Sequence, residues 1–386
     1  MNDHPVSHAP KERAISLDLA RGYMLLLIVL AHVPLYLYAS EPGIMSRPES
    51  GHFVDGLINS FGELFIDNRA RPLFAVLFGY GLVMIYESLI NKGRTIKEAM
   101  TTIRRRSLYL ILFGILLAVV IGGQDILMAY GVAGLLVSWL LARSDKVLVA
   151  VTSTLLVITL LYLPLIWGVV VRGNGHYGFG TEFSPDNHYL QLVMDALFFF
   201  PIIPLFIHFL FPILPTVLAG IWMGRKQLLT ASKLHKRRLK ILAVAGISIS
   251  ILGALPLVLI AEVWEPSLFV AGIINGIQIV TGFAGGVGYA ALFGVIGIHI
   301  NTPGPIINSI SALGKRSLTF FVFNEAVLVI LLSPVALNLG GILSNTDVTL
   351  IAIIIWIIAV VIAAILEKFR MNGPLETLMR YLVYRK

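Results

Sequence analysis

The chain has 386 residues, of which 57% are hydrophobic and only 13% charged, with mean hydropathy +0.87 and formal net charge +8. A soluble domain is about one-quarter charged, so this composition describes an all-α polytopic membrane protein. No cysteine is present, which removes disulfides, thiolate metal sites and thiol nucleophiles.

The first predicted span, 17–38, sits in the run SLDLARGYMLLLIVLAHVPLYLY and carries Asp18, Arg21 and His32. It is too long, and has too many charges inside it, for a cleavable signal. Ionisable groups inside a spanning helix are costly and mark a functional site or its structural partner. At about 100° per residue, Arg21 and His32 fall within roughly 20° of one helix face and roughly 16 Å apart along the axis. That spacing puts Arg21 at one interface and His32 near the bilayer centre. Asp18, three residues before Arg21, is within pairing reach of it.

An outer segment, 39–70, follows. Its stretch HFVDGLINSFGELFIDN reads as an amphipathic helix at the membrane surface, supplying His52, Asp55, Glu63 and Asp67 just ahead of Arg69 and Arg71. Further spans are predicted at 72–90, 107–122, 126–142, 147–171, 203–224, 240–262, 271–299, 317–337 and 348–367. The third opens on Arg104, Arg105 and Arg106, which could clamp a phosphate or simply meet anionic headgroups. An outer loop at 172–191 holds His176, Glu182, Asp186 and His188, with no metal-ligand spacing. LFFFPIIPLFIHFLFPILP, with its four prolines, reads as a broken or re-entrant helix before the sixth span. A basic loop (225–240) and an amphipathic tail (368–386) complete a single integral membrane domain, 1–386.

About ten spans with the N-terminus inside put almost every Lys and Arg in a cytoplasmic segment. Only Arg47, Arg69, Arg71 and Arg172 fall outside, and Arg21 lies within a span. This asymmetry places both termini in the cytoplasm and accounts for the basic balance without nucleic acid. No P-loop and no GxGxxG after a strand appears, which argues against ATP-driven transport.

The ordered pattern ERAISLDLARGYMLLLIVLAH, RPLFAVLFGYGL, DILMAYGVAGLL, LPTVLAGIWMGRKQLL, ALGKRSLTFF and NGPLETLMRYLVYRK resembles the YeiB-like bacterial inner-membrane family, which carries domain of unknown function 418. That family is distantly similar to membrane acyltransferases of the heparan-α-glucosaminide N-acetyltransferase and acyltransferase-three groups. The latter carry Arg-x10-His in their first span, matched here by Arg21 and His32. Nearer kin commonly have Asn at His32. Many also have a histidine where this chain has Ala118, and their LTNY is here Leu318-Thr319-Phe320-Phe321, with Asn324 and Glu325 one turn on.

The resemblance implies an acyltransferase of the bacterial inner membrane. It would move an acyl group, acetyl being the expectation, from cytoplasmic acyl-CoA (acetyl-CoA) to an acceptor at or beyond the outer face. His32 would be the base, with Asp55, Asp67 or Asp125 orienting it. Arg21 and Arg104–Arg106 would meet the CoA phosphates, and no metal is implied. Membrane lipids are the expected surroundings, the acceptor is undefined, and a homodimer is compatible with the reading. A transporter or channel for a small, anionic solute is the alternative from another class, since ten spans and a glycine-rich eighth span suit alternating access equally well.

Overall fold

The computed structural model describes residues 15–38, 41–49, 52–179 and 183–385; Glu182 lies outside them. The described residues form α1 (Ile15–His32), α2 (Phe53–Phe65), α3 (Ala70–Asn91), α4 (Ile96–Leu116), α5 (Leu127–Val137), α6 (Asp145–Asn174), α7 (Tyr189–Phe199) and α8 (Ile203–Leu210). There follow α9 (Leu214–Arg225), α10 (Lys236–Glu262), α11 (Leu268–His299), α12 (Pro305–Lys315), α13 (Ser317–Leu332), α14 (Asn345–Lys368) and α15 (Pro374–Tyr384).

An all-α membrane protein is therefore what the chain forms. By length and apolarity, six helical segments can cross a bilayer, or seven if α7 and α8, bent by 65°, count as one span. The expected number of about ten is approached only by adding shorter apolar helices at 127–142 and 317–332. The proline-rich run breaks as anticipated, with Phe211–Ile213 separating α8 from α9.

Local signals explain the boundaries. Thr95 and Glu98 form a capping box that starts α4 in the inner polar segment, well before the apolar run. Ser344 and Asp347 do the same for α14. Internal Pro164 and Pro256 are accommodated in long helices, as they are in membranes.

Helices approach closely where glycine removes the Cβ. On the α3–α9 seam a Cβ on Gly79 would collide with the Val217 carbonyl, and one on Gly220 with the Val76 carbonyl. On the α1–α12 seam, Gly22 and Gly314 meet the carbonyls of Ile310 and Asp18. These are the small-residue interfaces through which membrane helices pack without hydrophobic drive. On α6, Leu156, Leu160 and Leu161 are exposed and form a lipid-facing surface.

Segments expected on one side contact one another. At the end expected to be inner, Arg225 and Lys226 both bind Asp145 at 2.8 Å, Lys315 binds Glu367 at 2.6 Å, and Ser16 Oγ donates to the Leu229 carbonyl. At the outer end the Phe179 N–H donates to the Met45 carbonyl, Tyr177 to that of Pro266, and Thr346 to Asp55. The outer helix α2 turns Phe53, Leu57 and Phe61 outward and buries Asp55 and Glu63. Its charges therefore tie into the protein, and its apolar face is left for the interface.

Candidate functional site: a basic-mouthed cavity below a buried His–Glu pair

His32 is the last residue of α1, about 25 Å of helix from Ile15. It thus stands near the C-terminal end of α1, with the short turn Val33–Tyr36 continuing the candidate span beyond it. Its Nδ1 lies 2.6 Å from Glu325 Oε1; the side chains are 13% and 0% exposed. The Tyr36 hydroxyl donates to the other carboxylate oxygen at 3.4 Å, and Phe183 from the outer loop stacks on the Tyr36 ring. With a carboxylate as acceptor, Nδ1 carries the proton and Nε2 presents the free lone pair.

Asp125 completes the group from the loop between α4 and α5. Its two oxygens accept the N–H groups of Leu127 and Met128, at 2.8 and 3.0 Å. Burial pushes this carboxyl up to about 6 against the pull of those two donors; nearby Glu325 raises it further and His32 lowers it.

Asp55 and Asp67 are not brought to His32. Asp55 accepts from the Thr346 N–H and hydroxyl at the start of α14. Asp67 is held by Arg47 through two bonds of 2.6 and 3.0 Å. Buried Arg69 donates to the carbonyls of Glu63, Asp67 and Ser250. The outer charge cluster is a structural knot. The carboxylate that does meet His32, Glu325, follows from a signal in the sequence itself: a lone acid in the apolar run LTFFVFNEAVLVILL.

The arginines divide in a similar way. Arg21, within 3.9 Å of Asp18 as expected, and Arg106 line one cavity of about 1030 Å³. Arg104 donates to Ser138 and Arg105 to the Arg385 carbonyl, so neither faces it. The helix directions grade the cavity. Its inner mouth carries Arg21, Lys92, Arg106, Lys315 and Arg380, with Asp18, Glu87 and Glu376 among them. Its deep end is Met24, Phe74, Phe78, Leu110, Leu127 and Phe321. Lys315 is paired with Glu367, whereas Arg106 and Arg380 make no hydrogen bond or ion pair among the described residues. Two cations left open beside Arg21 attract an anionic group.

One wall of the mouth is α15. Glu376 accepts the N–H groups of Leu318 and Thr319 and the Thr319 hydroxyl, capping α13 with a carboxylate where its dipole is positive. The deep end stops just short of the His32 group. Phe321 is one turn before Glu325 on α13, Leu127 is two residues from Asp125, and Met24 is two turns before His32 on α1.

Residues 223–386 match the family model described as "Protein of unknown function (DUF418)". Glu325 and Glu376 lie in that region; Arg21, His32 and Arg106 precede it. The chain is also similar to "Uncharacterized protein YxaH" of Bacillus subtilis (strain 168), 26% identical over 97% of this chain and 94% of that protein. Over residues 223–386 the chain is thus similar to the DUF418 family, in keeping with the YeiB-like membrane family that its motifs resemble.

Proposed function

We propose that the protein is an acyltransferase of the bacterial inner membrane, using cytoplasmic acyl-CoA and an acceptor that arrives from the outer side. The observation that carries this is the His32–Glu325 pair beyond the apolar end of a cavity with a cationic mouth, Glu325 one helical turn past Phe321 and His32 two turns past Met24. CoA's phosphates would meet Arg21, Arg106 and Arg380, with bidentate guanidinium pairing as the source of affinity. Its flexible arm would run along the cavity over the roughly 16 Å that separate Arg21 from His32 along α1.

In the transfer, the acceptor's hydroxyl oxygen attacks the thioester carbonyl carbon while its proton passes to His32 Nε2. The new C–O bond forms, the C–S bond breaks, and the departing CoA thiolate takes that proton back from Nε2. Glu325 keeps the ring oriented and stabilises the imidazolium between the two proton transfers. Entry of the thioester to His32 requires Phe321 to swing aside.

Titration calorimetry of purified protein with acetyl-CoA tests the reading. Saturable binding is expected, weakened roughly tenfold or more by Arg106→Ala, since a bond to a charged group contributes about 1.5–3 kcal/mol. Indifference to acetyl-CoA, together with solute flux in proteoliposomes, would establish the transporter instead; the bent α7–α8 pair is the feature that favours it.

A further inference from the structure

Glu325 has a neighbour whose chemistry is unspent. Asn324 is 1% exposed, and neither its Nδ2 nor its Oδ1 has a hydrogen-bond partner. A buried amide with both halves unmatched is expensive in a dry interior and calls for an explanation. Asn324 lies on the second turn of α13 beyond Ser317, three residues after Phe321. Those two residues line the cavity, so at i+7 and i+3 spacing Asn324 continues the same side of the helix past the cavity's deep end. It is also on the turn that presents Glu325 to His32.

We propose that Asn324 receives the reacting end of the acyl donor. Its Nδ2–H donates to the thioester carbonyl oxygen, and its Oδ1 accepts the N–H of the amide nearest the sulfur in the CoA arm. An amide offers one donor and one acceptor a short distance apart, and the end of an acyl-CoA offers the complementary acceptor and donor. The same donor strengthens as charge develops on that oxygen during attack, which makes Asn324 a catalytic residue rather than a packing one. The site is left unsatisfied in the empty protein and becomes satisfied when the ligand passes Phe321. This inference rests on the acyl-CoA reading above.

The test compares acetyl-CoA with free CoA, which differ only in the acetyl group, on wild type and Asn324→Leu by calorimetry and thermal unfolding. Wild type should prefer acetyl-CoA by about three- to tenfold, the worth of one hydrogen bond. The variant should bind free CoA somewhat more weakly, lose the preference, and unfold at or above the wild-type temperature, because the orphan amide is gone. Asn324→Ala gives the same readings without the larger side chain, should Leu be too bulky to fold. A preference that survives in the variant, or its absence in wild type, overturns the role of Asn324 and leaves acyl-CoA binding intact. A lower unfolding temperature in both variants makes Asn324 a structural group and also overturns it. If wild type binds neither thioester nor CoA, the acyltransferase reading itself falls.

Discussion

At the scale of single residues, the pairing of His32 with Glu325 decides which ring nitrogen is free. Glu325→Gln keeps the shape but removes the negative charge that fixes the tautomer and stabilises the imidazolium. Turnover should fall by about 10²–10⁴ while acetyl-CoA affinity is unchanged. Assay of folded, purified variant checks this, and full turnover would remove the pair from the chemistry. In the chain, His32 stands out as an ionisable group in a span. Glu325 carries the same signal as a lone acid in an apolar run, but their pairing was not readable, because the two are 293 residues apart and only packing of α1 against α13 joins them. Asp55 and Asp67 attracted notice by crowding with other charges, yet their obligations are to Thr346 and Arg47. Crowding in sequence does not say which long-range donor a carboxylate serves.

At the scale of elements, the α4–α5 connection is the place where burial and helix capping conflict. Asp125 caps α5 as an anion yet sits where water is scarce, and its folded-state value is raised from 3.8 to about 6. A carboxyl raised on folding adds stability fully present below about pH 4 and lost as pH rises through 6. The difference is of order 3 kcal/mol. Asp125→Asn retains an oxygen for one of the Leu127 and Met128 N–H groups, gives up the acceptor for the other, and has no charge to desolvate. Its unfolding temperature in detergent should exceed wild type at pH 7.5 and vary less between pH 4 and 7. An equal pH slope in the two proteins would mean another group titrates. Long apolar helices such as α6, α11 and α14 were plain from hydropathy, and the prolines announced the α7–α8 bend. The true extent of α4 was hidden, because its first turns are polar and only the Thr95–Glu98 box marks them.

At the scale of the whole molecule, the distribution of Lys and Arg foretold which segments share a side, and the contacts at the two ends agree with it. The number of crossings was less legible. Apolar character says that a segment avoids water, not whether it meets lipid or other helices, and the short helices 127–142 and 317–332 do both: Tyr130 and Phe320 are buried, while Leu136, Trp139 and Ile330 are exposed. Glycine seams join α3 to α9 and α1 to α12 at backbone distance. The cavity opens between α1, α3, α4 and α13, with α15 forming one wall of its mouth.

The depth of that cavity has an electrical consequence. Along α3 its lining runs from Lys92 to Phe74, about 27 Å of helix. With the mouth on the cytoplasmic side, as proposed, water and ions entering it would carry the inner potential toward Phe321, and much of the transmembrane voltage would drop between there and the outer surface. The proton that passes from the acceptor to His32 and on to the departing thiolate moves through part of that field, a full crossing being worth about 2.3 kcal/mol per 100 mV. Turnover in proteoliposomes held at a potassium–valinomycin potential should therefore change severalfold per 100 mV wherever the proton step limits the rate. A rate indifferent to voltage would place the insulating layer along the whole length of the cavity rather than at its end.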